Sequence, residues 1–240
     1  MFETFFYQPV LNLLIFLYKT VPFNDLGLAI ILLTLIIKLL LLPLSKKSIK
    51  SQKELQDIQP KVEELKKEYK DNKEEMGKKM MELYKEHNVN PFSSCLPLLI
   101  QLPFLIAVFQ VFRRGFGETN LSLVYGFIGQ PESINQIAFG FLDLSVRSIP
   151  LAVLAGLAQF WQTRMMVTKK APIEDKSSKD ENMMAMMNKQ MTYMMPLLTV
   201  FIGISLPGGL TFYWFLTTLF TVFQQAYVFK SEKKQSAEIK

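Results

Sequence analysis

The sequence has very little of the side-chain chemistry on which most enzymes and metal sites depend. Its 240 residues include one cysteine, Cys95, and one histidine, His87. A single cysteine excludes an intrachain disulfide and a thiolate metal site, and a single histidine removes the usual histidine-based metal centres and catalytic triads. A glycine-rich phosphate loop is also missing, which argues against a nucleotide site. We therefore expect no catalytic residue, no metal, no cofactor and no enzymatic activity.

Charged residues are nearly absent from several long stretches of the chain. Half of the residues are hydrophobic, including 20 phenylalanines, and the apolar residues occur in blocks. The clearest block, 27–44, reads GLAIILLTLIIKLLLLPL, with Thr34 and Lys38 as its polar side chains. Apolar stretches of about 18 residues or more are typical of membrane-spanning helices. The sequence thus predicts an all-α, polytopic membrane helix bundle.

Charge patterning gives the predicted topology of this bundle. An excess of lysine follows the first span and recurs in the tail, which places both segments in the cytoplasm and the N-terminus outside. We predict five spans with the following segment limits: 1–25, an interfacial amphipathic segment; 26–44, span 1; 45–90, a charged cytoplasmic helical hairpin; 91–112, span 2; 113–147, an extracytoplasmic loop; 148–167, span 3; 168–188, a cytoplasmic loop; 189–206, span 4; 208–229, span 5; 230–240, a basic cytoplasmic tail.

Lys38 is the one charge inside the first predicted span. A lysine at the centre of a span costs about 2.5–3.5 kcal/mol on insertion scales, so it is by default a functional candidate. The structural alternative is that its aliphatic stem extends along the helix and brings the ammonium group to the interface. A different class of function, a small-solute channel or transporter with Lys38 as an anion site, requires a polar stripe across the membrane. The polar residues Thr34, Lys38, Gln101 and Gln159 stop short of the outer leaflet.

Several further motifs accompany the Lys38 block in a fixed order. They are Gln59-Pro60-Lys61, LYKEHNVNPFSSCLPLLIQLPF at 83–104, YMMP at 193–196, and LPGGLTFYW at 206–214 followed by Gln224-Gln225. Together they cover about residues 20–230, and the combination resembles the YidC family of membrane protein insertases, which includes the mitochondrial oxidase-assembly and thylakoid Albino insertases. The chain is similar to the short, five-span bacterial form, since the large extracytoplasmic domain of Gram-negative members is not found.

The resemblance implies a cytoplasm-facing hydrophilic groove within the inner leaflet that is open towards lipid. The groove charge of the family, usually arginine, falls at Lys38, and its substrate-contacting threonine falls at Thr34. Two departures stand out: Lys38 replaces the common arginine, and Ser94 replaces a common glycine. Lysine keeps the charge but loses the planar fork that binds carboxylates with two hydrogen bonds. The implied groove residues are Lys38, Thr34, Gln101, Gln159, Tyr213 and Trp214.

The function implied by the resemblance is insertion and folding of hydrophobic segments of nascent membrane proteins, without nucleotide hydrolysis. The implied location is the bacterial cytoplasmic membrane. Nascent membrane proteins and membrane lipids are the expected partners, and the ribosome and the Sec translocon are candidate partners. The charged hairpin and the basic tail are candidates for handling the nascent chain or ribosome, and anionic lipid headgroups are an equally good alternative ligand for the tail. No specific nucleic-acid sequence is expected to bind.

Overall fold

The structure is a computed structural model that describes residues 1–70, 72–90, 96–166 and 190–238. This part of the chain forms nine α-helices and one short antiparallel ribbon of two strands, which confirms the predominantly helical fold predicted from the sequence. The predicted loop 168–188 and the first residues of predicted span 2, 91–95, lie outside the described residues. The elements are α1 (Gln8–Thr20), α2 (Leu26–Leu40), α3 (Leu42–Glu68), α4 (Lys73–Glu86), α5 (Leu96–Arg114), α6 (Glu118–Leu121), β1 (Ile137–Ala138), β2 (Leu142–Asp143), α7 (Ile149–Met166), α8 (Met195–Ser205) and α9 (Gly208–Glu238), with π-helical turns at Glu3–Tyr7 and Gln190–Met194 and a 3-10 turn at Pro22–Asn24.

A sharp bend divides the apolar block that contains Lys38. The axes of α2 and α3 differ by 69° across Leu41, whose amide still donates to the Ile37 carbonyl at 3.0 Å. Pro43 lies in the first turn of α3. Proline has no amide hydrogen and cannot continue the hydrogen-bond ladder of α2, so the helix ends before it. Predicted span 1, 26–44, is thus divided, and Lys38 lies in the last turn of α2.

The helices differ in whether length and composition suit them to crossing a membrane. Within the described ranges, no individual helix is both long enough and apolar enough to do so alone. Helices α2 and α3 meet the requirement as a bent pair, and Thr192–Ser205 is a shorter apolar helix.

Helix α1 and the turn before it pack into the core and are held by the end of α5 and by the segment between α5 and α7. The Arg114 guanidinium pairs with the Glu3 carboxylate at 2.7 Å, and the Lys19 ammonium donates to the Ile128 carbonyl at 2.6 Å. Buried Asn12 accepts a hydrogen bond from the Tyr125 amide in the same segment. The fully buried apolar residues of α1 are Leu11, Leu14 and Ile15. Helix α1 therefore lies along the predicted extracytoplasmic loop; its interfacial location in a membrane stays a prediction.

The β-ribbon anchors the N-terminal end of α2. The Asp25 carboxylate caps α2 by accepting from the Leu28 amide at 2.9 Å, which satisfies one of the free amides of the first turn. Its second oxygen accepts from the Phe139 amide at the tip of the ribbon. A Cβ on Gly27 would lie 2.7 Å from the Ala138 Cβ, so glycine allows α2 to approach β1 closely. Asp25 and Gly27 thus fix where α2 begins.

Gly208 and Gly209 also allow two parts of the chain to approach closely, in this case the start of α9 and its neighbours. The sequence predicts them to form a turn with Pro207, but both lie in the first turn of α9 and neither has a positive φ. The Gly208 amide donates to the Val146 carbonyl and the Gly209 amide to the Leu144 carbonyl, both at 2.9 Å. A Cβ on Gly208 would lie 2.8 Å from the Val146 carbonyl oxygen. A side chain at Gly208 would separate α9 from the segment after β2, and one at Gly209 would meet the Phe112 ring of α5.

Small residues set the distance between α7 and α8. A Cβ on Gly156 would lie 2.3 Å from the Val200 Cγ2, and one on Gly203 would lie 3.0 Å from the Ala152 Cβ. Small residues of this kind are typical of tightly packed membrane helices, because they let the backbones approach. The Thr211 hydroxyl of α9 donates to the Gly203 carbonyl at 3.1 Å, which links α9 to the same pair.

The charged segment 45–90 contains two helices, α3 and α4, which are in contact. Ile58 and Val62, which lie four residues apart on α3, are buried. The Lys61 ammonium lies 3.1 Å from the His87 Nε2, which links α3 to the C-terminal end of α4. At the other end of the chain, α9 continues past residue 229 to Glu238, so most of the predicted tail 230–240 is helical.

Candidate functional site

Lys38 points into the bundle. Its side chain is 7 % exposed, and its ammonium group donates to the Thr221 hydroxyl of α9 at 2.8 Å. Within the described ranges, no carboxylate forms an ion pair with this ammonium group. A hydroxyl compensates a buried charge less well than a carboxylate does. The positive end of the side chain is therefore held in place and keeps most of its attraction for an anion.

Thr34 and Lys38 lie on the same face of α2. Four residues separate them, which places two helical side chains one above the other, and Thr34 is 1 % exposed. The Thr34 hydroxyl donates to the carbonyl of Ile30 in its own helix at 2.7 Å. The hydroxyl is thus satisfied within α2, which leaves the methyl group of this side chain for apolar contacts.

A second polar pair lies on α5 and α9. The Gln101 amide nitrogen donates to the Tyr213 hydroxyl at 2.8 Å, and Tyr213 is fully buried. Buried hydroxyls need such partners, since an unpaired one costs about 1–3 kcal/mol. Gln101 and Tyr213, both predicted from the sequence as groove residues, are therefore brought together by the fold.

One face of α9 carries more polar groups than the sequence-based set contained. Thr217 lies one turn after Tyr213 and Thr221 one turn further, and the Thr221 hydroxyl donates to the Thr217 carbonyl at 2.8 Å. Gln225, the next residue at this spacing, is 2 % exposed. The spacing of four was visible in the sequence, but the Thr221 partner of Lys38 was missed. The sequence feature that could have identified Thr221 is its spacing of eight residues from Tyr213, which places both on the same face of an otherwise apolar helix.

Trp214 and Gln159 are placed differently from the other four predicted residues. Trp214 is partly exposed and follows Tyr213, so its side chain points about 100° away around α9. Gln159 on α7 is also partly exposed, and its main-chain carbonyl accepts from the Thr163 hydroxyl at 2.7 Å. The hydrogen bonds of the described residues do not connect Gln159 to Lys38 or to Tyr213. Its role as a groove residue remains a prediction.

Comparison with known proteins places this arrangement in a family. A sequence model of the family described as 60Kd inner membrane protein matches residues 16–236, which is most of the chain. Curated relatives carry the name membrane protein insertase YidC, and that of Fusobacterium nucleatum is 33 % identical over 229 residues. The chain belongs to the YidC family of membrane protein insertases.

The relatives differ in length. The alignment with the Fusobacterium nucleatum protein covers 95 % of this chain and 98 % of that protein. The YidC of Clostridium tetani is 36 % identical over 218 residues, with 91 % of this chain and 88 % of the relative covered. For the YidC of Pelobacter propionicus, 34 % identical over 223 residues, the coverage is 93 % of this chain but 38 % of the relative. This chain thus corresponds to the full length of some YidC proteins and to a part of others.

Membership of the YidC family confirms the resemblance derived from the sequence motifs. The family is one of bacterial inner membrane proteins with a role in protein transport, and it is not a family of catalytic enzymes. The orientation of the termini and the roles of the six predicted groove residues stay predictions.

The hydrogen bond between Gln101 and Tyr213 yields a stability prediction. Tyr213→Phe removes the acceptor, and we expect a loss of about 0.5–1.5 kcal/mol, because the Gln101 amide loses its partner in a partly buried position. Thermal unfolding in detergent micelles measures this loss of stability. Gln101→Leu removes the other partner of the same hydrogen bond, so the double variant should lose less stability than the sum of the losses of the two single variants. Tyr193→Phe is the control, since Tyr193 is 55 % exposed; simple additivity of Tyr213→Phe and Gln101→Leu would contradict the prediction.

Proposed function

We propose that this chain inserts hydrophobic segments of nascent membrane proteins by offering Lys38 as a temporary counter-charge inside the membrane. The observation that carries the proposal is the ammonium group of Lys38, which is 7 % exposed and held by the Thr221 hydroxyl instead of by a carboxylate. A charge kept at this depth without an acidic partner has an energetic cost. This cost has a functional explanation if the charge attracts the acidic tail of a client chain that passes through the membrane.

The first step of the proposed mechanism is electrostatic. A client with a short, weakly acidic outer tail must carry carboxylates into a low-dielectric region, which is strongly unfavourable for an unpaired ion. Two opposite charges 4 Å apart attract by about 4 kcal/mol at an effective dielectric constant of 20. Lys38 would supply this attraction and lower the barrier for the tail. Its partner Thr221 can be exchanged for a client carboxylate, since an ion pair between ammonium and carboxylate is stronger than a hydrogen bond from ammonium to a neutral hydroxyl.

The second step is release of the client into lipid. We infer that the hydrophobic segment passes along Thr34, Tyr213 and Trp214 and then leaves sideways. Burial of apolar surface gives roughly 25 cal/mol per Å², which drives the step without nucleotide hydrolysis. Thr34 and Tyr213 are buried, so α2 and α9 must separate at this face for a client to reach them. The proposed groove opens in this way towards the cytoplasm and towards lipid.

The remaining predicted features belong to the same proposal. The termini are placed with the N-terminus outside and the C-terminus in the cytoplasm, because lysine-rich segments are retained on the cytoplasmic side. Gln101 and Gln159 would add polar lining to the groove. The helical hairpin of α3 and α4 would meet the nascent chain, and the ribosome and the Sec translocon are proposed as further partners.

Disulfide crosslinking to a stalled nascent membrane protein tests this function. Cys95→Ser removes the single native cysteine, and Thr34→Cys or Trp214→Cys then places a thiol at the proposed client path. We expect crosslinks to a cysteine in the transmembrane segment of the client at both positions. Leu157→Cys is the control, because Leu157 is 59 % exposed on α7 and lies outside the proposed path. Equal crosslinking from all three positions would overturn the proposed path.

A separate measurement distinguishes the channel alternative. The purified protein is reconstituted in liposomes without any client, and ion flux is recorded. A hydroxyl-paired, buried Lys38 does not form an open conduction path, so we expect no flux above that of empty liposomes. Flux that disappears in Lys38→Ala would favour the channel function over insertion.

A further inference from the structure

An apolar groove lies on the surface between α7 and α8, outside the site around Lys38. It has a volume of about 270 Å³. Large side chains form its two walls, and the Tyr193 hydroxyl is their one polar side-chain atom. These residues are Val153, Leu157 and Phe160 on α7 and Tyr193, Leu197 and Val200 opposite them. Leu157 and Leu197 are 59 % and 68 % exposed, so both walls are open to the surroundings of the bundle.

The length of the groove matches one leaflet of a bilayer. Val153 and Phe160 lie seven residues apart on α7, and Arg164 follows Phe160 by one turn. At a rise of 1.5 Å per residue, the distance along α7 from Val153 to Arg164 is roughly 16 Å. This is about half of the hydrocarbon core, which is roughly 30 Å thick. An acyl chain of one leaflet therefore matches the groove, whereas a spanning helix would need a groove about twice as long.

The side chains of the groove differ from those that hold membrane helices together. Membrane helices associate through small residues and interhelical hydrogen bonds, because lipid is as apolar as a leucine side chain. The small residues of this region are already used between α7 and α8. A Cβ on Gly156 would lie 2.3 Å from the Val200 Cγ2, and one on Gly203 would lie 3.0 Å from the Ala152 Cβ. The large apolar side chains that face outwards are suited to a flexible acyl chain and not to a second helix.

A positive charge lies at one end of the groove. The Arg164 guanidinium lies 5.7 Å from the centroid of the Phe160 ring, and that centroid lies 5.8 Å from the centroid of the Tyr193 ring. The contact with Phe160 holds the guanidinium group beside the groove, and its N–H donors match the geometry of a phosphate. The predicted topology places this end of α7 in the cytoplasmic leaflet, whose surface is negatively charged because of anionic lipids.

We propose that this groove binds an acyl chain of an anionic phospholipid whose phosphate lies at Arg164 and the Tyr193 hydroxyl. The guanidinium group selects the headgroup, and the apolar walls hold the chain. A free phosphate ion would leave the walls without a partner, and a second copy of the chain would find no small residues on which to pack. The lipid is the ligand that matches both parts of the site. The proposal does not depend on the counter-charge function of Lys38.

Fluorescence quenching by brominated lipids tests the proposal. The chain has two tryptophans, Trp161 and Trp214, so Trp214→Phe leaves Trp161 as the single reporter. Trp161 is 52 % exposed and lies one turn after Leu157 on the same face of α7. The full chain is reconstituted in phosphatidylcholine vesicles with a small fraction of brominated phosphatidylglycerol or, separately, of brominated phosphatidylcholine. We expect quenching to show about fivefold enrichment of phosphatidylglycerol over phosphatidylcholine near Trp161, because an arginine near the surface attracts an anionic headgroup.

Substitution of Arg164 in the single-tryptophan chain separates its charge from general charge effects. Arg164→Gln should remove the preference for phosphatidylglycerol, and Arg164→Lys should keep part of it because the charge is retained. Arg113→Gln is the matched control. The Arg113 guanidinium also lies 5.7 Å from an aromatic ring, that of Phe109, but the predicted topology places it at the outer face. An equal preference in Arg164→Gln and Arg113→Gln would overturn the proposal. Quenching by brominated phosphatidylcholine shows that Trp161 still contacts lipid in each variant.

Further arms of the experiment separate the other occupants. Glycerol 3-phosphate carries the phosphate without acyl chains, and we expect millimolar amounts to leave the preference unchanged. Loss of the preference would show that the site binds phosphate alone and would overturn the assignment to lipid. Quenching should also be independent of the ratio of protein to lipid. Quenching by both lipids that increases on dilution of the protein would show that a second copy of the chain covers this face, which would overturn the proposal.

Discussion

Lys38→Ala is expected to slow the insertion of clients with short acidic tails by about tenfold or more in reconstituted vesicles. A factor of ten corresponds to about 1.4 kcal/mol, which is well within the attraction of about 4 kcal/mol between two charges 4 Å apart at an effective dielectric constant of 20. Lys38→Arg keeps the charge and is expected to retain most of the activity. The rate of protease protection of the client's outer tail measures the effect.

Matched controls separate the charge of Lys38 from its packing. Lys38→Met keeps most of the apolar stem and removes the charge, so it should be as slow as Lys38→Ala. A client whose tail carboxylates are replaced by amides should insert at the same rate into vesicles with either protein. Lys78→Ala removes a lysine exposed on the hairpin and should leave insertion unchanged. Normal insertion of the acidic client by Lys38→Ala would exclude the counter-charge mechanism for this chain.

Gly209→Ala is expected to lower the thermal unfolding midpoint by about 2–12 °C in detergent micelles. The added Cβ would lie 2.2 Å from the Phe112 Cε1, and two further ring atoms would be within 2.7 Å. Phe112 is 8 % exposed and packs edge to face on Phe116 with ring centroids 5.8 Å apart, so its ring has little room to move. Overpacking of this kind costs about 1–3 kcal/mol, and each kcal/mol shifts the midpoint by about 2–4 °C in a chain of this size.

The effect of Gly209→Ala has a compensating variant and a control. Phe112→Leu makes room at the contact, so the double variant should be destabilised by less than the sum of the two single variants. Gly126→Ala is the control, because a Cβ at Gly126 meets no atom within 4 Å. A midpoint for Gly209→Ala that equals that of Gly126→Ala would show that the ring yields at no cost and would contradict the prediction.

Sequence spacing correctly predicted which residues of one helix lie on the same face. Thr34 and Lys38 are four residues apart, and α2 places both side chains in the bundle, as an i, i+4 pair requires. The same rule relates Tyr213 to Thr217 and Thr221 on α9. The polar character of these threonines was visible, yet Thr221 was not selected as a site residue. Nothing within α9 indicates which of its threonines faces a charge on another helix.

Sequence spacing could not predict which residues of different helices form pairs. Lys38 and Thr221 are separated by 183 residues, and Gln101 and Tyr213 by 112 residues. Their contacts depend on the rotation and height of one helix relative to another, which are set by the packing of many apolar side chains. The two glycines after Pro207 show the same limit. Glycine is typical of turns, but here its missing side chain admits the backbone near Leu144 and the Phe112 ring.

The sequence by itself determined the helical class, the family, and the presence of one charge in an apolar block. Each of these is encoded locally, in apolar runs, helical spacing and short motifs. The tertiary structure decided that α2 ends at Leu40 and turns by 69°. It also decided that the ammonium group of Lys38 meets a hydroxyl on α9 and not a carboxylate. Those features depend on which distant helices pack together, and packing is a property of the whole chain.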